Sequence, residues 1–361
     1  MACKRPTVVA LYLPQYHPIP ENDEWWGKGF TEWTNVTKAK PLYRGHQQPN
    51  LPADLGFYDL RVPESRLAQT EMARAHGVDA FCYYHYWFGD GRRLLQRPFE
   101  EVLRSGEPDF PFMLCWANQT WAGVWHGLEG RVLIEQRYPG RHDAEAHFKA
   151  VLPAFLDARY LRVSGQPAFM VYRPTELPDP RAMLDQWRQM ARDAGLPGVY
   201  FIAEHDDPHW DAAALGFDAF VNMRGLQRRR AWVPWSQPVT KLRNRLLDKL
   251  KQPTVLDYAN LADYFVPPKA SELAIPCVMP NWDNTPRSGV RGLVLEGATP
   301  ARFGDQMDRA LRRAAVRCAP DNFLFVKSWN EWAEGNHLEP GQRHGHGFLQ
   351  ALSAARLRHA G

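Results

Sequence analysis

The stretch NFLFVKSWNEWAEG, residues 322–335, joins a short apolar run to a polar tip, and the repetition of this pattern along the chain predicts the fold. Continuous apolar runs of this length are typical of parallel strands that are covered on both faces. Eight such runs occur in the 361 residues: TVVALYLPQYH, VDAFCYYHYW, FPFMLCWANQTW, PAFMVYR, VYFIAEHDD, FDAFVNMR, AIPCVMPNWDN and NFLFVKSWNEW.

Helical patterns lie between most of these runs. They are PESRLAQTEMARAHG (63–77), DAEAHFKAVLPAFLD from near Asp143, DPRAMLDQWRQMARDAG ending at Gly195, TPARFGDQMDRALRRAAVR before the last strand, and GFLQALSAARLRHA at the end. Eight strand–helix units in one chain predict an α/β fold, a (β/α)₈ TIM barrel formed by a single catalytic domain over residues 1–361. A doubly wound sheet is the alternative, but no GxGxxG or Walker sequence supports it.

Composition narrows the class of protein. Hydrophobic residues make up 45% and charged residues 23%, the balance of a soluble globular protein, and a net charge of +4 is too small to indicate nucleic-acid binding. The five cysteines are scattered and form no CxxC pair, which fits a reducing compartment. The N-terminal run has no signal-peptide cleavage site and no run is long enough to span a membrane, so we expect a cytoplasmic protein.

Two connections are longer than a minimal barrel needs. Residues 17–60, rich in aromatic and amide side chains, are expected to fold over the barrel mouth as an active-site loop. Residues 223–256 form a basic insertion, in which residues 223–251 hold nine Lys/Arg and one acid. The sequence KLRNRLLDKLK within it predicts an amphipathic helix. We interpret that helix as a lid, an oligomer contact, a peripheral membrane contact or a helix packed on its own domain.

The polar tip of the last run holds two glutamates three residues apart, Glu331 and Glu334. At that spacing in a turn, Cβ atoms lie about 5–6 Å apart. Two like charges so close raise the pKa of one carboxyl, which leaves one group as an acid and the other as a base. Cleavage of a glycosidic bond needs this division of roles, so we predict that both residues are catalytic.

The other runs also end in aromatic, amide or acidic residues, and in a (β/α)₈ barrel those ends form the catalytic face. Aromatic residues are 12% of the chain, with 14 Trp, and their flat rings suit stacking against sugars. The histidines show no metal spacing, so we expect no metal and no other cofactor. The predicted substrate-binding residues are Tyr12, Gln15, His17, Trp26, Glu32, Trp33, Asn50, Tyr84, His85, Trp87, Trp116, Asn118, Trp121, Glu204, Trp282, Asp283, Trp329 and Asn330.

The segment LYLPQYHPIPENDEWWGKGFTEWTNVTKAKPLYRGHQQPNLPADLGFYDLR resembles the opening of WbsX-type proteins from bacterial polysaccharide and O-antigen gene clusters. CYYHYWF, CWANQTW and SWNEWAEGNHLEP extend this resemblance over nearly the whole chain. The group also looks related to glycoside hydrolase family 99, the endo-acting α-mannosidases and mannanases, which are (β/α)₈ barrels.

The hydrolase family carries a motif similar to NEWAEG, with two glutamates at the same spacing. Carried over by position, the resemblance implies that Glu331 is the base and Glu334 the acid. It also implies that the base deprotonates the 2-hydroxyl of the sugar, whose oxygen displaces the leaving group to give a 1,2-anhydro sugar. Water then opens this intermediate with net retention.

These observations predict a retaining hydrolase of an α-linked, manno- or rhamno-configured bacterial oligosaccharide or polysaccharide. Two alternatives stay open. One is a glycosyltransferase of O-antigen or lipopolysaccharide biosynthesis, although no Gly-rich phosphate loop is present. The other is a catalytically silent glycan-binding barrel, which would bind glycan without turnover. The sequence indicates no oligomeric state.

Overall fold

A computed structural model of the protein describes residues 5–122, 132–222, 246, 249–317 and 319–359. Its centre is a parallel sheet of eight barrel strands that follow one another around the sheet in chain order. The strands are β1 (Thr7–Tyr12), β2 (Ala80–Trp87), β3 (Phe112–Trp116), β4 (Gln166–Val171), β5 (Tyr200–Glu204), β6 (Ala219–Val221), β7 (Ala274–Ile275 and Cys277–Val278) and β8 (Phe323–Val326).

The sheet closes on itself through the two halves of β7. Its first half pairs with β6 at Phe220 and Ala274, and its second half pairs with β8 at Cys277 and Phe325. Pro276 separates the halves because it has no N–H to donate to a ladder, and its carbonyl accepts the Phe325 N–H at 3.0 Å. With β8 paired to β1, the predicted (β/α)₈ barrel is confirmed and the doubly wound alternative is wrong.

The helices lie around the barrel and over its mouth. They are α1 (Pro20–Trp26), α2 (Glu32–Lys38), α3 (Pro63–Ala75), α4 (Arg97–Ser105), α5 (Arg141–Leu156), α6 (Pro180–Asp193), α7 (Ala262–Phe265), α8 (Thr285–Ser288), α9 (Pro300–Arg317) and α10 (Gly347–Arg358). Five of these match predicted helices, and α5 starts two residues before the predicted Asp143. The others were not predicted because they are short or lie in segments without an apolar repeat.

The strands are buried on both faces, as their composition predicts. Every residue of β2 is buried, including its histidine and three tyrosines. Such a strand needs helices outside and packed side chains inside. Cys82, Cys115 and Cys277 lie in this core as free thiols.

The long first connection covers the barrel mouth. It contains α1 and α2, and the backbone N–H of Glu32 donates to the carbonyl of Gln15 at 3.0 Å. Trp33 packs its ring 5.6 Å from that of Trp332, beyond the end of β8. The connection is therefore part of the folded barrel top.

Most of the basic segment 223–251, with its predicted amphipathic helix, lies outside the described residues. Leu246 and Leu250, which belong to that pattern, are exposed. Within the described part of the chain, no helix is both long and apolar enough to cross a membrane.

Candidate active site

A cleft of about 160 Å³ opens at the C-terminal ends of the barrel strands. Its walls come from the first connection, from β2 and from the segments that follow β1, β3, β4, β7 and β8. The lining residues are Leu13, Gln15, Asn22, Trp26, Glu32, Tyr84, Tyr86, Ala117, Gln119, Thr120, Trp121, Ala122, Leu133, Tyr172, Arg287, Lys327, Glu331 and Glu334.

The two predicted catalytic glutamates lie together in this cleft. Residues Trp332–Glu334 form a single 3-10 turn between two very short antiparallel strands, and Gly335 ends the turn with φ 65°. The side-chain amide of Asn336 donates to Glu331 Oε2 at 3.1 Å and to Glu334 Oε2 at 3.4 Å. One amide therefore holds both carboxylates on the same wall of the cleft.

Each carboxylate has its own cation. Lys327 Nζ lies 3.8 Å from Glu331 Oε2, and Arg287 Nη1 donates to Glu334 Oε1 at 2.5 Å. Arg287 also donates through Nε to Glu32 Oε1 at 2.7 Å, so it connects the carboxylate of Glu32, at the start of α2, to the acid pair. Burial opposes the charge of Lys327, but Glu331 and other anionic neighbours outweigh burial and raise the pKa of the lysine above its usual range.

The environment drives the pKa values of the two glutamates apart. Burial, followed by the charge of Glu331, raises the pKa of Glu334 to about 7. Burial would also raise the pKa of Glu331, but Lys327, a hydrogen bond with Glu334, and Arg287 together lower it below its ordinary value. Near neutral pH the cleft therefore holds one ionised carboxylate beside one carboxyl that can donate a proton.

Five of the predicted substrate-binding residues line the cleft: Gln15, Trp26, Glu32, Tyr84 and Trp121. Five other lining residues were not predicted from the sequence. They are the two cations Arg287 and Lys327, the tyrosines Tyr86 and Tyr172, and the amide Gln119. Signals for two of these were available. Lys327 stands at the strand end four residues before Glu331, and Tyr86 lies two residues after Tyr84 on the same face of β2.

Three predicted ligands lie in the barrel core instead of the cleft. Tyr12 donates its hydroxyl to Gln69 at 2.6 Å, and Trp329 is fully buried. Asn330 is also fully buried, and its amide accepts from the backbone N–H of Leu13 at 2.7 Å and donates to the carbonyl of Leu13 at 3.0 Å. These side chains pack at the strand ends, and none of them exposes a surface that a sugar could contact.

Another group faces outward, toward α5. His85, Trp87 and Trp116 surround His147: the two imidazoles share an Nε2–Nε2 contact of 2.8 Å, and the Trp87 ring stacks on His147 at 4.7 Å. The Trp116 indole donates to the carbonyl of Trp87 at 2.9 Å. Alternation along the strands turns these rings away from the barrel interior, which corrects their predicted contact with substrate.

Three further predicted residues are buried outside the cleft lining, and two of them, Trp33 and Asn118, hold loops in place. The Trp33 indole donates to the carbonyl of Tyr58 at 2.8 Å, and both groups are buried. The Asn118 amide donates to the carbonyl of Arg173 at 2.9 Å and accepts from its N–H at 2.7 Å. His17 is also buried, and burial lowers its pKa.

The two predicted residues directly after β7, Trp282 and Asp283, are likewise structural. Asp283 Oδ2 receives hydrogen bonds from Gln48 at 2.6 Å and contacts His46 Nε2 at 2.8 Å, so its carboxylate is occupied by the first connection. Trp282 is buried, with Lys327 Nζ 5.7 Å from its ring centroid. Neither side chain lines the cleft.

Two predicted ligands lie elsewhere. Glu204 ends β5 in a fully buried position; burial raises its pKa to about 8, and neither of its oxygens has a hydrogen-bond partner among the described residues. Asn50 lines a separate cavity between the first connection and the segment after β8. Neither residue is part of the cleft lining.

A family model described as Glycosyltransferase WbsX matches residues 8–352 of the chain. The chain belongs to the WbsX family. This membership confirms the resemblance seen in the first connection and in the motifs at the strand ends.

Curated relatives extend the comparison. The protein WxcX from two strains of Xanthomonas campestris pv. campestris is 40% identical to this WbsX-family chain over 354 residues. The alignment covers 98% of this chain and 50% of WxcX. The chain thus spans about half the length of the curated relatives it matches.

Solved structures share the barrel. Two structures of the GH99 endo-alpha-mannosidase from Bacteroides thetaiotaomicron match with TM-scores of 0.57 and 0.56 at 14% identity, covering 98% of this chain and 97% and 96% of those chains. A structure described as a glycoside hydrolase-like protein matches with a TM-score of 0.57 at 13% identity, covering 98% and 95%. At such low identity, the similarity shows a common fold.

Removal of Arg287 tests the charge balance of the cleft. In Arg287→Met, Glu32 and Glu334 stay buried without their cation, and we expect the free energy of unfolding at pH 8 to fall by about 3–5 kcal/mol. The pKa of each glutamate then rises further above its unfolded value. Because the folded state binds more protons, the loss must be smaller at pH 5 than at pH 8.

Urea denaturation at the two pH values measures both effects. The double variant Arg287→Met/Glu32→Gln is the matched control, because it removes one of the two stranded carboxylates and should recover part of the stability. An equal loss at pH 5 and pH 8 would show that Arg287 acts by packing and not by charge.

Proposed function

We propose that the protein is a retaining glycoside hydrolase that acts on α-linked, manno- or rhamno-configured glycans of a bacterial surface polysaccharide. The observation that carries this proposal is the Glu331–Glu334 pair, whose pKa values are driven in opposite directions inside one cleft. Aromatic rings line the same cleft and offer flat apolar faces to a sugar: Trp26, Tyr84, Tyr86, Trp121 and Tyr172.

The placement of the pair favours a neighbouring-group reaction. A water-mediated inverting reaction needs two carboxyl groups about 6.5–9.5 Å apart on opposite sides of the sugar. Here both carboxylates contact the single amide of Asn336, at 3.1 and 3.4 Å, and so lie on one side. This geometry suits an acid and a base that serve adjacent oxygens of one sugar ring.

In the proposed first step, Glu331 takes the proton of the 2-hydroxyl while the 2-oxygen forms a bond to C1. The bond from C1 to the leaving oxygen breaks, and Glu334 gives that oxygen its proton. The result is a 1,2-anhydro sugar, with Glu331 protonated and Glu334 ionised. The reaction needs a 2-hydroxyl trans to the leaving group, as in α-mannosides and α-rhamnosides.

In the second step, water attacks C1 and the bond from C1 to the 2-oxygen breaks. Glu334 takes a proton from this water, and Glu331 returns its proton to the 2-oxygen. Two inversions at C1 give net retention, and both carboxyl groups recover their starting protonation. Lys327 keeps Glu331 ionised between turnovers, and Arg287 orients Glu334.

The description of the matching family favours a second candidate, a glycosyltransferase of O-antigen or lipopolysaccharide assembly. The same acid pair would then activate an acceptor hydroxyl instead of water. Supply of an activated sugar donor separates the two functions, because hydrolysis needs no donor.

Glu334→Gln tests the hydrolase proposal. Surface-polysaccharide oligosaccharides from the bacterium that carries the gene are incubated in ¹⁸O-labelled water without sugar nucleotide, and mass spectrometry follows new reducing ends. Wild type should shorten the chains and add one labelled oxygen per cut. Loss of the acid should lower the rate by about 10²–10⁴-fold, the usual contribution of general acid catalysis.

Glu64→Gln, an exposed glutamate on α3, is the matched control and should cleave like wild type. No cleavage by wild type, with chain extension once an activated donor is added, would refute hydrolysis and support the transferase. Tight glycan binding without either reaction would support the silent barrel.

The pH profile tests the roles within the pair. Because Glu334 must be protonated and its pKa is raised to about 7, kcat/KM should fall about tenfold per pH unit above that value. The acid limb of the profile should lie at lower pH than an ordinary glutamate would give, because Lys327 helps to lower the pKa of Glu331.

In Lys327→Met, both glutamates lose a cation that lowers their pKa values, so both limbs should move to higher pH. The shift should be larger for the acid limb because Lys327 is the strongest influence opposing burial at Glu331. An acid limb at the same pH in wild type and Lys327→Met would remove Lys327 from this role.

A further inference from the structure

A second cavity, which we call the rim cavity, lies beside the cleft at the top of the barrel and has a volume of about 400 Å³. That volume falls in the range of about 300–1,000 Å³ typical of small-molecule sites. Its walls are residues 47–51 of the first connection, residues 281 and 298, and residues of the segment 332–348. It shares no described lining residue with the cleft.

A thin and rigid wall separates the two spaces. The backbone N–H of Asp283 donates to the carbonyl of Glu334 at 2.7 Å, and a Cβ on Gly335 would approach that nitrogen to 2.7 Å. His46 and Gln48 fix the Asp283 carboxylate from the first connection. The rim cavity is therefore a preformed space next to the catalytic turn, closed off from Glu334 itself.

The lining of the rim cavity is rich in amides. Gln47, Asn50, Asn281 and Gln342 contribute side-chain amides, which can both donate to and accept from hydroxyl groups. Asn281 Oδ1 is buried and has no hydrogen-bond partner among the described residues. A buried acceptor without a partner is unfavourable unless a ligand or water supplies a donor.

An aromatic pair stands beside these amides. The rings of Trp332 and His337 stack with centroids 3.6 Å apart and planes at 16°. His337 is half-buried, and burial lowers its pKa to about 4, so the ring is neutral near pH 7. The rim cavity thus combines a neutral flat ring with amide groups.

Two charged side chains line the rim cavity, Glu339 and the exposed Arg343, so the lining as a whole favours neither anions nor cations. The carboxylate of Glu339 accepts from Gln69, Tyr58 and Trp332 at 2.6–2.8 Å, so the protein itself occupies it. Among the described residues, no group of three or more metal-ligating side chains could hold a metal ion. Neutral hydroxyl-bearing ligands fit this lining best.

We propose that the rim cavity binds carbohydrate as a second contact for the polymer whose bond is cleaved in the neighbouring cleft. This inference rests on the proposed hydrolase function, since it assigns the cavity to the same substrate. A second contact on one molecule acts at high effective concentration, so it favours long chains over short ones. Asn281 and Gln47 supply hydrogen bonds to sugar hydroxyls there.

Chain-length preference tests the proposal. We compare kcat/KM for the native polymer and for the shortest oligosaccharide that is cleaved, using wild type, Asn281→Ala and the exposed-site variant Gln47→Ala. Each variant should lose about tenfold on the polymer, on the order of one hydrogen bond, and nothing on the short substrate. Gln189→Ala, an exposed amide on α6, is the control and should match wild type on both.

Equal losses on both substrates, or no loss on the polymer in either variant, would overturn the rim-cavity assignment.

A binding measurement keeps this result separate from the hydrolase proposal. Glu334→Gln lacks the acid but keeps the rim cavity, so calorimetry with the polymer should show tighter binding to Glu334→Gln than to Glu334→Gln/Asn281→Ala. Equal binding, or none to either protein, would refute the cavity's role. Failure of wild type to hydrolyse any chain would refute only the function.

Discussion

The burial of two carboxylates beside two cations at the barrel mouth is the constraint on which the rest of the site depends. Glu331 and Glu334 lie within one turn of chain, and the desolvation of two such anions is unfavourable unless each gains a partner. Lys327 comes from the same strand end, whereas Arg287 comes from the segment after β7 and also binds Glu32 of the first connection. The acid pair can therefore form only when three separate segments have folded over the barrel.

A second set of contacts fixes the back of the turn that carries the acid pair. The indole of Trp332 and the hydroxyl of Tyr58 donate to Glu339 Oε2 at 2.6 and 2.8 Å. Asn330 clamps the turn to the end of β1 through the backbone of Leu13. The residues of the WNEWAEG motif thus have two roles. The two glutamates face the cleft, and the two indoles and Asn330 pack behind them and hold them in place.

The barrel was predicted well because a strand that is buried on both faces appears in the sequence as a continuous apolar run. The position of Glu331 and Glu334 in the cleft was predicted in the same way, from the end of the last run. Side-chain direction was harder to predict. On β2, Tyr84 and Tyr86 face the cleft, whereas His85 and Trp87 face α5. The composition of the strand does not show which of the two alternating sets of side chains faces the cleft. Arg287 was missed because its helix, α8, is only four residues long and has no apolar repeat.

We propose that Glu331 and Glu334 act on one sugar ring in two successive displacements at C1. Proton NMR of the first anomer released by wild type, recorded before mutarotation, measures the configuration at C1 of the new reducing end. Retention, seen as an α-configured new reducing end from an α-linked chain, is the predicted result. A β-configured product in the first spectra would mean that water attacks C1 in a single step, and it would rule out the two-step reaction.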